Sequence, residues 1–126
     1  MNSRPLRASS AGTSATLKPR ISHGNSGIVN RAGFAAKVSG VAVGAGWNLA
    51  LGCDLVVAER DARFSQIFAK RGLSLDFGGS WLLPKIVGLQ QAKRLALLAE
   101  IIGAEEAERL GLVTYVVEPG TIDAFV

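Results

Sequence analysis

Residues 38–50 read Val38-Ser39-Gly40-Val41-Ala42-Val43-Gly44-Ala45-Gly46-Trp47-Asn48-Leu49-Ala50, and the reading of this stretch decides the fold. Ala35–Val43 is apolar and β-branched, with Lys37 and Ser39 interposed. That texture suits a buried or half-buried strand. Gly44-Ala45-Gly46 follows as a tight turn by composition. Trp47–Leu51 is a short helical candidate ended by Gly52.

Downstream, strand and helix signals alternate. Leu55-Val56-Val57 lies in a second short strand over Asp54–Ala58. Phe64–Arg71 is ambiguous, and Gly72–Gly79 reads as a loop holding Asp76. A helix is expected from Ser80, with Pro84 tolerated in its early turns. Leu89–Glu100 is the clearest helix, with Leu89, Ala92, Leu95, Ala96 and Ala99 on one apolar face. Ala104–Leu110 is another, with Glu105 and Glu106 suiting the N-terminal dipole and Gly111 the C-terminal cap. Leu112–Val117 reads as a strand, Glu118-Pro119-Gly120 as a turn, and Thr121 as a possible cap near the final Val126. Such alternation indicates an α/β layer architecture.

Upstream the texture is different. Residues 1–33 hold no aromatic residue and are rich in Ser, Ala, Gly and Arg. Too little apolar surface is available to offset ordering entropy, so this segment reads as disordered and 34–126 as the folded unit. An acid-free, Arg- and Ser-rich start is also the composition of an organellar transit peptide, and a frame-shifted start would look similar. The 126 residues suffice for one domain at most. The net charge of +4 is uneven: six basic residues and no acid precede Asp54, while the rest holds 8 basic residues against 10 acids. The positive excess therefore belongs to the N-terminal part, and no aromatics interleave with it before Phe34. A nucleic-acid-binding face is not indicated. No apolar run of about 18 residues occurs, so no membrane-spanning helix is expected. A lone cysteine, Cys53, excludes an internal disulfide framework and reads as a small core residue rather than a nucleophile.

Gly44-Ala45-Gly46 between strand and helix invites a dinucleotide-binding reading. That fingerprint requires a third glycine where Leu49 stands. The acids about 20 residues on, such as Glu59 and Asp61, lie among Arg60 and Arg63 in an apparent loop rather than at a clear strand end. A phosphate-binding P-loop pattern is absent as well.

The same stretch resembles the signature of the crotonase (enoyl-CoA hydratase/isomerase) family. The likeness continues through Cys53-Asp54-Leu55-Val56-Val57-Ala58, Ala62–Gln66 and Gly72–Ser80. Leu83–Gly88 and Ala104–Val113 extend it. Each segment is a weak signal; their order and spacing over 34–126 are specific. The resemblance implies a partial crotonase fold of stacked ββα units, lacking the N-terminal half and the C-terminal helices. It implies an acyl-CoA thioester as substrate, with coenzyme A part of that substrate, and neither a metal nor a further cofactor. It implies a backbone N–H at Ala45 as one donor of an oxyanion hole, where removing a donor typically costs about 3 kcal/mol. It places Gly44, Gly46, Trp47 and Phe68 against the substrate. Trp47, Phe64, Phe68, Phe77 and Trp81 are candidates for an acyl pocket, with core packing the simpler account of each alone. Glu105, Glu106 and Glu108 read as a solvated helix face.

The sequence departs from hydratases in one respect. Where those carry two glutamates that hold a water, this chain has Asn48 and Phe68. Neither is an acid or base. Asp76 aligns with the aspartate by which isomerase-type relatives shuttle protons, including epoxy-CoA isomerases of phenylacetate degradation. Between Leu75 and Phe77, desolvation would raise its pKa toward neutrality. The expectation is thus an isomerase-type acyl-CoA protein of fatty acid metabolism, cytoplasmic unless residues 1–33 direct it to an organelle. The fragment alone is expected to be inactive. Two further readings stand beside it. One is a chain completed by a partner in a trimer or hexamer; the other is a non-catalytic subunit docked on intact crotonase oligomers.

Overall fold

The structure is a computed structural model that describes residues 6–8, 13–20 and 33–125. Strand β1 spans Leu6–Ala8, β2 Thr13–Arg20 and β3 Gly33–Val43, with helix α1 at Ala45–Leu51. Strands β4 (Leu55–Glu59) and β5 (Arg63–Ser65) follow, then a 3-10 segment over Ile67–Arg71. Helices α2 (Gly79–Val87) and α3 (Leu89–Leu98) precede β6 (Ile102–Gly103) and α4 (Ala104–Arg109). The chain closes with β7 (Tyr115–Val117) and α5 (Ile122–Phe125).

Two of these strands lie within residues 1–33, which the composition reads as disordered. β1 pairs with β2, and β2 pairs antiparallel with β3 from Thr13↔Gly40 to Arg20↔Gly33. Backbone pairing on the flank of an existing strand needs no apolar side-chain pattern, so composition carried no sign of it. The other residues of that segment lie outside the described residues.

β3 organises everything else. Its first half pairs in parallel with β4 (Ala35↔Leu55 to Val38↔Ala58), and its last three residues pair in parallel with β5 (Val41↔Arg63 to Val43↔Ser65). One strand thus serves two sheet directions, and the change falls at Gly40, whose φ is +79°. Glycine is the residue that takes this left-handed conformation without a Cβ clash. β4 carries β7 on its far side, and β5 carries the short antiparallel β6.

Side chains alternate along β3 and β4 as pleating demands. Ala36, Val38, Val56 and Ala58 point into the main core with Trp47, Phe64, Leu83 and Leu95. The opposite face carries Ala35, Lys37, Val57 and Glu59, all buried. There the C-terminal segment covers the sheet: Lys37 Nζ meets Asp123 Oδ1 at 2.9 Å, and Glu59 Oε1 accepts from the Gly120 N–H at 2.8 Å.

Several local expectations are corrected. Leu112–Val117 is a strand only over Tyr115–Val117. The N–H groups of Gly111 and Leu112 instead donate to the carbonyls of Glu108 and Ala107, winding off α4 through Gly111 at φ +81°. Helix α2 begins at Gly79, one residue ahead of the expected Ser80, and Pro84 sits in its second turn, within the early turns expected to tolerate it. Leu89, expected on the buried face of α3, is 60% exposed; Ala92, Leu95 and Ala99 carry the burial. The Ile102–Gly103 strand had no sequence signal, being two residues long. Glu105 and Glu106 are not simply solvated: Glu105 pairs with Arg60, and Glu106 with Arg94 at 2.9 Å.

Leu95 is fully buried and Leu97 is 71% exposed on the same helix. Leu95→Ala is expected to lower unfolding free energy by about 2–5 kcal/mol and Leu97→Ala by under about 0.5 kcal/mol. Urea denaturation of the two variants checks the contrast.

Candidate active site

The corner between β3 and α1 is built from backbone constraints. Gly44 has φ +56°, and its N–H donates to the Ser65 carbonyl at 2.9 Å, locking the corner onto the end of β5. A Cβ on Gly44 would stand 3.4 Å from Ile67 Cγ2 and 3.6 Å from Phe68 Cζ. Phe68 thus lies beside the turn, half-buried, as expected of a residue near the motif. Ala45 is exposed and opens α1. First-turn N–H groups have no intrahelical acceptor, so the Ala45 N–H has no partner within α1. Gly46 is half-buried beside it.

Trp47 requires a correction. Expected against substrate, it is fully buried and packs on Phe64 with ring centroids 5.3 Å apart. Its position on α1 turns it into the core under β5. Phe64 shares that fate, while Phe77 and Trp81 are exposed. The Trp81 ring is covered by the Lys85 ammonium at 3.9 Å.

One residue further along α1, Asn48 is buried and joins three segments. Its Nδ2 donates to the Asp76 carbonyl at 2.8 Å, and its Oδ1 accepts from Gln66 Nε2 at 2.6 Å. Gly79 at the start of α2 lies against this amide. A Cβ there would stand 2.9 Å from Asn48 Cγ and closer still to Nδ2. Only a glycine fits. Gln66 and Gly79 were not singled out by sequence reasoning; a buried polar side chain after Phe64-Ser65 and the second glycine of Gly78-Gly79 were the available signals.

Asp76 lies on the loop that Asn48 holds. Its Oδ1 accepts from the Phe77 N–H at 2.7 Å. The carboxylate is exposed, so the desolvation expected from its apolar neighbours is not found among the described residues. Leu75 is half-buried and Phe77 exposed, which leaves that flank open to water. Next to the loop is an apolar cavity of about 310 Å³, walled by Phe34, Leu49, Phe77 and Leu82, with Asn48, Gly52 and Cys53 also lining it. The volume is at the lower end of small-molecule sites. Burial, and after it the neighbouring Asp54 carboxylate, pushes the Cys53 thiol up. Its Sγ sits 3.6 Å from the Leu49 carbonyl. A raised thiol is a poor nucleophile at neutral pH, in keeping with a packing role. Among the described residues no three His, Cys, Asp or Glu side chains gather as a metal site would need, and no helix is long and apolar enough to cross a membrane.

A two-directional sheet crossed by helices, with a glycine corner opening α1, is the architecture of an α/β protein of the crotonase class. The sequence profile of the enoyl-CoA hydratase/isomerase family matches residues 28–122, and the chain belongs to that family. It is 48% identical over 85 residues to 1,2-epoxyphenylacetyl-CoA isomerase of Escherichia coli, covering 68% of this chain and 32% of that protein. Over 64 residues it is 54% identical to a probable enoyl-CoA hydratase of Rhodobacter capsulatus, covering 51% and 25%. The crystal structure of an enoyl-CoA hydratase/isomerase from Cupriavidus metallidurans superposes with a TM-score of 0.69 at 46% identity, covering 71% of this chain and 34% of that one. The chain thus spans about a quarter to a third of the length of these relatives, and the fold it shows is a part of theirs.

Gly79→Ala is expected to displace the Asn48 amide and to lower stability by about 1–3 kcal/mol, the range for overpacking. Thermal unfolding monitored by circular dichroism checks it; an unchanged midpoint would show that the contact yields freely.

Proposed function

We propose that this chain carries the isomerase-type half of an acyl-CoA site, moving a proton between carbons of a thioester-bound acyl group. The observation that carries this reading is the state of Asn48. It stands where a hydratase has a glutamate, and both ends of its amide are bonded, to Gln66 and to the Asp76 carbonyl. An amide so held neither takes up nor releases a proton, and Phe68, at the second glutamate position, cannot either. Asp76, on the loop that Asn48 holds, is then the carboxylate left to carry a proton.

In the proposed reaction the Asp76 carboxylate removes a proton from the carbon next to the thioester carbonyl. The electron pair moves onto the thioester oxygen as an enolate, and the Ala45 N–H donates to that oxygen. The helix dipole of α1 adds a positive field in the same place. Protonated Asp76 returns the proton to a different carbon, leaving the double bond shifted and the protein unchanged. Gly44 and Gly46 let the backbone approach the thioester, and Phe68 flanks it. The apolar cavity along Leu49, Phe77 and Leu82 suits the acyl tail. Coenzyme A enters only as part of the substrate.

Exposure of Asp76 and Phe77 supports a second element of the proposal: a trimer, a hexamer or a complementing chain supplies the wall that excludes water from the carboxylate. The match to a third or less of the relatives' length is consistent with it. Turnover by this chain as a monomer, with no other protein present, would contradict that element.

Asp76→Asn is expected to lower isomerisation of a 3-enoyl-CoA by about 10²–10⁴-fold, the usual weight of a general acid–base group. The change in absorbance on conjugation of the double bond with the thioester follows the reaction. Unchanged rates would remove Asp76 from the mechanism.

A further inference from the structure

We infer that Gln66 is a positioning residue for Asp76, acting through Asn48 on the single peptide unit that joins Asp76 to Phe77. The inference rests on the proposed role of Asp76 as the proton carrier.

The Asp76–Phe77 peptide is held at both ends. Its carbonyl accepts from Asn48 Nδ2 at 2.8 Å, and its N–H donates to Asp76 Oδ1 at 2.7 Å. The plane of this peptide therefore sets the direction of the carboxylate. The plane is held against its own preference: Phe77 has φ +57°, a left-handed conformation that residues with a Cβ disfavour. Rotating the peptide unit would return Phe77 to a negative φ and turn the N–H away from the carboxylate. The Asn48 bond opposes that rotation.

Asn48 can do so only if its amide presents nitrogen, not oxygen, to the Asp76 carbonyl. The Asp76 carbonyl, which only accepts, requires the nitrogen end, and Gln66 reinforces that orientation from the other end. Its Nε2 donates to Asn48 Oδ1 at 2.6 Å, committing the oxygen end to Gln66 and the nitrogen end to Asp76. Gln66 is fully buried, and its Oε1 has no partner among the described residues. Its contribution is thus that one N–H. Gly79, which leaves no room for a Cβ beside the amide, confines Asn48 from the side of α2.

The charged groups on the surrounding elements are Arg63 on β5, Lys70 and Arg71 in the 3-10 segment, Asp76 on its loop, Lys85 on α2, and Lys93 and Arg94 on α3. Helix α1 carries none. Gln66→Glu keeps the shape of the side chain and makes its donor depend on pH. The neutral acid donates to Asn48 Oδ1 as the amide does; the carboxylate cannot, and draws the Asn48 NH₂ toward itself. Burial favours the neutral acid, so the crossover falls above the ordinary carboxylate range.

The test is the three-bond amide–Hα coupling of Phe77, which reports φ, measured by NMR on the whole chain across pH. In Gln66→Glu it is expected to shift to the extended-backbone value at high pH and to return to the wild-type value on acidification. Wild type is expected to stay constant over the same range. Gln66→Met, which keeps the length without a donor, is expected to show the shifted coupling at every pH and serves if the glutamate variant unfolds. A wild-type coupling in both variants at every pH overturns the inference. The two readings fail separately. A silent coupling with an inactive Asp76→Asn overturns the positioning and leaves the proton shuttle. A responsive coupling with a fully active Asp76→Asn supports the positioning and overturns the shuttle.

Discussion

Two hydrogen bonds at one buried side chain, between Asn48 and Gln66 and from Asn48 to the Asp76 carbonyl, connect the parts of this protein that the proposed reaction uses. α1 presents the Ala45 N–H, the end of β5 presents Gln66, and the loop before α2 presents Asp76. These segments are separate in sequence, and they meet at the Asn48 amide, through the Gln66 side chain and the Asp76 carbonyl. A buried amide left unpaired costs about 1–3 kcal/mol, so the two bonds also penalise any arrangement that separates them.

The corner depends in turn on β3. That strand supplies the parallel partner for β4 over its first half and for β5 over its end. Gly40 allows the change of direction, and Gly44 ends the strand by donating to Ser65. Because β5 is fixed to β3 there, Gln66 arrives beside α1 rather than in solvent. The same fixing buries Trp47 on Phe64 and leaves Ala45 outside. A core-facing tryptophan and an exposed Ala45 are thus two sides of one seven-residue helix.

Much of this was legible in the residues. The apolar, β-branched run to Val43, the glycine corner and the amphipathic helix expected over Leu89–Glu100, which ends at Leu98, followed from period and composition. The family motifs pointed to Ala45 and Asp76, whose roles belong to the proposal, and to Asn48 where a hydratase has an acid. What was not legible depended on contacts across the fold. Whether Trp47 faces ligand or core is decided by where β5 lies, which no local pattern states. The exposure of Asp76 depends on what stands over its loop, not on Leu75 and Phe77 beside it in sequence. Gln66 appeared only as part of a motif, since a buried glutamine is informative only once its partner is known. β1 and β2 lie in a segment whose composition suggested no structure, because edge pairing uses backbone groups common to every residue but proline.

The claim at the centre of this account is that replacing acids by the Asn48 knot and Phe68 leaves a site for proton shuttling and none for adding water. A direct test offers the protein a 3-enoyl-CoA and a 2-enoyl-CoA side by side, together with whatever chain completes the pocket, and separates the products by mass. The account predicts isomerisation of the first, with no gain of the mass of a water by the second. Hydration of the 2-enoyl-CoA at a rate matching or exceeding isomerisation would contradict it, since the described residues hold no pair of carboxylates on α1 and the 3-10 segment to position that water.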